Sequence, residues 1–209
     1  MFRRLGKFSA PLLGTLLLAV SAAAPASAQE FHAEISNPIL RASAASGTTY
    51  DLGGKLIKCS NSAYEGTAST ATSPSWALGS AYSGCSAFGF VTTISGNGCS
   101  FVLNAQSETG DFHLSCPSQG FSFTAYVFGT PVCTVRIKQA GGTPTTISNA
   151  GSGSSRDITF AATLSGLEYT EDAGGFCEVG SGSNGKMEGG SPTLKGFNGS
   201  NVQIGVWRA

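Results

Sequence analysis

The residues in this chain with chemistry to offer are carboxylates, cysteines and a few large aromatic rings. The densest acidic patch is Glu168, Glu171, Asp172 and Glu178, next to Tyr169. Hard oxygen donors on a loop suit Ca²⁺, and Glu168, Glu171 and Asp172 are the residues expected to hold such an ion. Two carboxylates facing each other across a cleft are also enough for glycoside hydrolysis. That makes Glu65, Asp111, Glu168, Glu171 and Asp172 the candidates for acid–base work. The patch lacks the D-x-D-x-D-G order of a calcium loop, so a solvated acidic turn is the simpler expectation and no cofactor is required.

Other catalytic patterns are thin. His32 and His113 are isolated and alternate with apolar neighbours, as solvent-facing strand residues do. Gly151-Ser-Gly-Ser154 approaches a serine nucleophile elbow, but it lies in a low-complexity stretch with no helical pattern after it. The six cysteines contain no C-x-x-C pair, which argues against zinc. Among the rings, Trp76 sits in the turn-rich Ser73-Pro-Ser-Trp-Ala-Leu-Gly-Ser-Ala-Tyr82. An exposed ring there would serve as a platform for a sugar, with Trp76, Tyr82 and Tyr169 as the candidate ligand-binding residues; the plainer reading has Trp76 plugging one end of the fold.

The cysteines gain meaning from the first 28 residues. Arg3, Arg4 and Lys7 are followed by an apolar run from Pro11 to Val20 and by Ala26-Ser-Ala28, the pattern of a cleaved export signal with Gln29 as the new N-terminus. Export places the cysteines in an oxidising compartment and predicts a secreted or cell-surface protein with disulfides. Losing that segment leaves nine basic against twelve acidic residues. This balance excludes nucleic acid as a partner, since phosphate binding needs clustered Lys and Arg. No later apolar run reaches the ~20 residues of a membrane-spanning helix.

The elements that must position these groups are strands. Apolar residues recur at every second position in short runs broken by Gly, Ser, Pro and Asn: Phe31, Ala33 and Ile35; Phe88, Phe90, Thr92 and Ile94; Phe121, Phe123, Ala125 and Val127; Ile158, Phe160, Ala162 and Leu164; Val202, Ile204 and Val206. The pattern predicts an all-β chain, one antiparallel β-sandwich or partly open barrel of about eight to eleven short strands over residues 29–209. Gly141–Ser155 and Gly174–Pro192 read as long loops. Asn198-Gly-Ser200 fits a glycosylation acceptor and marks an exposed turn, with the modification itself not expected.

One hairpin can be registered in detail. With its turn at Ser107 and Glu108, Leu103 opposes Phe112, Phe101 opposes Leu114, and Cys99 opposes Cys116. Directly opposed residues bring Cβ atoms within ~4.5 to 5.5 Å, close enough for a disulfide. The other four cysteines admit three pairings. Cys59 with Cys85 and Cys133 with Cys177 are favoured because each links neighbouring strand candidates.

The segments around Cys59, Tyr82-Ser-Gly-Cys85, Asn97-Gly-Cys99, Ser115-Cys-Pro117 and Cys133-Thr-Val-Arg-Ile137 resemble small exported, cysteine-containing β proteins of high-GC, actinobacteria-like bacteria. The resemblance covers nearly the whole mature chain and its motifs are structural, so it implies a compartment and a scaffold and transfers no active site. The expectation is a non-enzymatic secreted or cell-envelope protein presenting loops to a glycan, an envelope protein or its own copies. An extracellular hydrolase and a secreted inhibitor or effector are the alternatives.

Overall fold

The computed structural model describes residues 29–44, 46–106, 109–117, 119–138, 140–173 and 177–209. The expected export signal, residues 1–28, and the turn expected at Ser107 and Glu108 lie outside these. In chain order the strands are β1 (Phe31–Ala33), β2 (Ile39–Ala44), β3 (Thr48–Leu52), β4 (Lys55–Thr67), β5 (Thr72–Ser73), β6 (Ser75–Ala87), β7 (Phe90–Ser95), β8 (Ser100–Asn104), β9 (Asp111–Ser115) and β10 (Phe121–Val127). They continue with β11 (Thr130–Ile137), β12 (Ala140–Pro144), β13 (Ile147–Ala150), β14 (Asp157–Phe160), β15 (Thr163–Ala173), β16 (Ser181–Glu188), β17 (Thr193–Phe197), β18 (Gln203–Ile204) and β19 (Val206–Arg208). A single turn of 3₁₀-helix, Gly153–Ser155, precedes β14.

Eight strands in the order β3-β4-β6-β7-β10-β11-β15-β16 form a closed antiparallel barrel, with β16 pairing back onto β3. Closure leaves those strands without an open edge, the aggregation hazard of a flat sheet. Of the two expected forms, β-sandwich or partly open barrel, the barrel is the nearer, and it is closed: the sheet curls until it meets itself.

β4 and β6 are 13 residues each and run on beyond this barrel. Past it, β6 pairs with β8, β8 with β9 and β9 with β12, while β4 pairs with β2, β2 with β17, β17 with β14 and β14 with β13. Only Thr145 and Thr146 separate β12 from β13. Thr145 N donates to Gly110 O and Ala161 N to Thr146 O, both at 3.3 Å, so this outer ribbon also returns on itself. The small sheet β19-β1-β5 packs over one end, its Phe31 stacked on Trp76 with ring centroids 4.7 Å apart.

The long strands keep one face inward through both parts by slipping a residue. In β4 the buried positions Ile57 and Cys59 give way to Ser62 and Tyr64, with Ser60 and Asn61 both exposed between them. Ser83 and Gly84 break β6 at the same level, and Gly84 takes φ +62°, a conformation that costs glycine little. One continuous core results. Phe101 lies edge-on to Tyr64 and Phe121 and stacks on Phe112, which contacts Phe160. Each of these fully buried rings contributes about 1.5–3 kcal/mol through area removed from water.

All three expected disulfides are present: Cys59–Cys85, Cys99–Cys116 and Cys133–Cys177. Leu103 opposes Phe112 and Phe101 opposes Leu114, the hairpin register read from the sequence. Cys59 directly faces Cys85 across β4 and β6.

The strand number and the two loops need correction. Among the described residues nineteen strands replace the expected eight to eleven, because short edge pairings and bends subdivide the ladders. The segment expected as a loop at 141–155 holds most of β12 and all of β13, and the stretch 174–192 holds β16, a wall of the barrel.

Candidate functional site

The groups singled out for chemistry are dispersed. Trp76 is only 2% exposed, sealed between Phe31 and the core, so it offers no open platform and acts as the end plug. Tyr82 is partly buried and its hydroxyl lies 2.8 Å from that of Tyr50 inside the barrel. Tyr169 is buried on β15, donating from Oη to Asn184 Oδ1 at 3.1 Å. The three rings do not share a surface.

The acidic patch divides in the same way. Glu168 is exposed. Glu171 Oε2 accepts the backbone N–H groups of Val179 and Gly180, each at 3.1 Å, and so fastens the return of the chain after Cys177. Asp172 is ion-paired to Arg136 Nε. Among the described residues no group of three or more His, Cys, Asp or Glu side chains is arranged to hold a metal. The proposed calcium ligands Glu168, Glu171 and Asp172 therefore have separate environments, two of them already filled by protein donors.

Asp111 is also engaged, accepting from Asn104 Nδ2 at 3.3 Å and lying 2.9 Å from His113 Nδ1. His32 stacks on Trp207. Asn198 lies in a surface turn, where its Oδ1 accepts the N–H groups of Ser200 and Val202 at 2.9 Å.

A polar cluster does lie inside. Tyr50, Tyr64 and Tyr82 gather with Thr48 and Ser62, whose hydroxyls bond at 2.8 Å. Burial pushes the Tyr50 and Tyr82 hydroxyls well above the usual tyrosine range; neighbouring tyrosines push Tyr50 further up, while at Tyr82 Tyr64 adds to the rise and hydrogen bonds with Tyr50 and Ser80 partly offset it. Tyr64 is raised by burial too, with Thr48, Tyr82 and Ser62 partly offsetting it. These phenols stay protonated and serve packing.

A groove with room for a ligand lies elsewhere, on the outer faces of β4, β2, β17 and β14. It is a groove of about 710 Å³ lined by Arg41, Ser43, Glu65, Asp157, Lys195 and Phe197 among others. Alternation turns these side chains outward while their neighbours Leu40, Ala42, Tyr64 and Leu194 enter the core. Register then aligns them across the sheet. Arg41 opposes Glu65 on one side, with Nε 3.4 Å from its carboxylate, and opposes Lys195 on the other. The Arg41 guanidinium also donates to Asn201 Oδ1 at 2.9 Å and lies 5.3 Å over the Phe197 ring. Lys195 is exposed and makes no ion pair among the described residues.

Two cations directly opposed on neighbouring strands repel, and only one of them is neutralised here by a neighbour within the fold. The lining thus carries two adjacent cations, Arg41 and Lys195, and two carboxylates, Glu65 and Asp157, together with small hydroxyl side chains. Sequence reasoning found Glu65 and missed Arg41, Asp157, Lys195 and Phe197, because residues so far apart in the chain meet only through strand order. The one available signal was that each stands at an outward position of an alternating run.

Fold and site together define a disulfide-linked, all-β barrel protein bearing a charged surface groove. Among the described residues no helix is long and apolar enough to cross a membrane. Comparison with family models, curated proteins and solved structures gives no match.

Proposed function

We propose that this chain is an exported, non-enzymatic binding protein of the extracellular space or cell surface, and that its groove takes an acidic saccharide. The observation that carries the reading is the Lys195–Arg41 pair, two cations side by side on neighbouring strands with one of them unpaired. A ligand carboxylate set between them removes the repulsion and accepts hydrogen bonds from both. Ring hydroxyls would be met by Glu65, Asp157 and Thr193, and an apolar sugar face by Phe197. The three disulfides suit an oxidising compartment and support a rigid scaffold.

Binding is favoured over hydrolysis by spacing. β4 and β14, which carry Glu65 and Asp157, are three ladder steps apart, about 14 Å between strands. A glycosidase pair needs its carboxyl groups roughly 5 to 9.5 Å apart, and Glu65 leans onto Arg41 instead.

Calorimetric titration with an oligouronide and with a neutral oligosaccharide of equal length tests this. The acidic sugar is expected to bind and the neutral one to bind weakly or not at all. Lys195→Ala should weaken binding about tenfold, the usual loss for one charge-assisted hydrogen bond. Equal affinity for both sugars, no binding of either, or hydrolysis of the acidic one would overturn the reading.

A further inference from the structure

Apart from the groove, one mouth of the closed barrel carries a cluster of apolar side chains facing water. Three neighbouring hairpins turn there: β3–β4 through Gly53 and Gly54, β6–β7 through Phe88 and Gly89, and β10–β11 through Phe128 and Gly129. Phe128 is 104% exposed, Val91 73% and Leu56 44%. Phe88 is partly buried beside them, one step beyond the Ile57–Ala87 pair that joins β4 to β6.

Phe88 and Phe128 hold the same place in their turns. Each is the first of two linking residues, in a left-handed conformation with φ +57° and +49°, and each is followed by glycine at φ +82° and +79°. Asn, Asp or Gly is the easy residue at that position of a two-residue hairpin turn. Three of the other four non-glycine residues with positive φ in the described chain are Asn. Twice, then, the turn carries a bulky ring where a small polar residue would be less strained.

The β3–β4 tip carries Asp51, which accepts the Gly54 N–H, and Lys55, ion-paired to Glu178, so the apolar edge is formed by the β6–β7 and β10–β11 turns. The next row around the barrel is Lys58–Ser86–Val91–Tyr126, each residue paired to the next across β4, β6, β7 and β10. Lys58 points outward, as Leu56 does, and makes no ion pair among the described residues. An apolar tip followed by tyrosine and a free lysine matches the order of a bilayer surface, where hydrocarbon gives way to the headgroup layer. Rings on protruding turns suit a fluid surface better than they suit a flat, preformed protein face.

We infer that this mouth docks on a lipid bilayer, with Phe128 and the Phe88 turn entering the hydrocarbon edge and Lys58 resting among anionic headgroups. The attachment is shallow and driven by apolar area, consistent with a mature chain that is not basic overall. It is independent of the groove and of any sugar.

Flotation with vesicles made of equal parts phosphatidylcholine and phosphatidylglycerol tests it, with pure phosphatidylcholine as a second arm. The wild-type chain should float with both and more strongly with the mixture. Phe88→Asn together with Phe128→Asn should lower partitioning about tenfold or more, as expected when an aromatic ring no longer leaves water. Phe128 is fully exposed and Asn suits its left-handed turn, so the thermal midpoint of Phe128→Asn alone should hold or rise while flotation still falls, which separates lost docking from the packing that Phe88 also supplies to the core. Lys58→Ala should reduce only the preference for the mixture. Val202→Asn, another exposed apolar position far from this mouth, should change nothing. Failure of the wild-type chain to float, or unchanged flotation of the double variant, would overturn the inference. So would a dimer that the double variant disperses without any vesicle binding, since a second copy would then be what covers the patch.

Discussion

Tyr50 Oη and Tyr82 Oη lie 2.8 Å apart inside the barrel, on two strands that both flank β4 and do not pair with each other. Their hydrogen bond crosses the interior, and with the buried Tyr64 of β4 the two form a phenol cluster among Phe121, Phe123 and Phe101. Burial raises all three hydroxyls above the unfolded-chain value of about 10. Above that pH the unfolded chain releases protons that the folded chain retains. Stability is therefore complete below about pH 10 and falls as pH rises beyond it. Ultraviolet phenolate absorbance should show these tyrosines ionising together with loss of the near-ultraviolet circular dichroism signal. Ionisation of all five tyrosines while the fold stays intact would contradict this. Tyr82→Phe leaves Tyr50 Oη without this partner and should cost about 1–3 kcal/mol at neutral pH.

The disulfides differ in the span of chain they close, with sequence separations of 44 for Cys133 and Cys177, 26 for Cys59 and Cys85, and 17 for Cys99 and Cys116. If each acts mainly by restricting the unfolded chain, replacing a pair by serine costs about 2–4 kcal/mol. The longest span should then exceed the shortest by roughly 1 kcal/mol. Denaturant midpoints of the three double-serine variants give the order. An equal or reversed ranking would mean that native-state packing of the sulfurs outweighs chain entropy.

Glu171 is a clamp. Its carboxylate takes two backbone N–H groups from the segment after Cys177, while its own N–H donates to Gly180 O at 2.9 Å. Glu171→Ala should destabilise the protein by about 1.5–3 kcal/mol, the range for hydrogen bonds to a charged group, and should speed amide exchange at Val179 and Gly180 before anything else. With that carboxylate engaged and Asp172 on Arg136, neither added calcium nor a chelator should move the thermal midpoint. A calcium-dependent rise would restore the acidic patch as an ion site.

What was legible in the sequence was local. The Cys99–Cys116 hairpin could be registered because strict alternation and two matched cysteines leave one solution. Strands β12 and β16 escaped because they are built of glycine and small polar residues. On β16 that composition is a packing requirement: a Cβ on Gly182 would lie 2.5 Å from Tyr169 Oη, and one on Gly185 3.0 Å from Leu167 and Leu52. The large residues that fill those gaps sit on other strands, so β16 carries no apolar signature of its own. The slip at Ser60–Asn61 and Ser83–Gly84 hides the continuity of β4 and β6 for a similar reason, since each half reads as a separate short strand. The groove was illegible because lateral neighbours such as Arg41 and Lys195 are set by closure of the sheet.

Trp76 joins two layers, stacked on Phe31 of the end sheet while its strand β6 belongs to both the barrel and the outer ribbon. It pairs in register with Leu103 and is fully enclosed, so its contribution is packing. Trp76→Ala should cost about 3–5 kcal/mol, through lost transfer energy and the cavity left behind. Trp76→Phe keeps a ring against Phe31 and should cost less. In a folded variant, titration of the groove with an acidic saccharide should be unchanged, because Trp76 does not line it. Selective loss of binding by Trp76→Phe at full stability would instead return the residue to a ligand site.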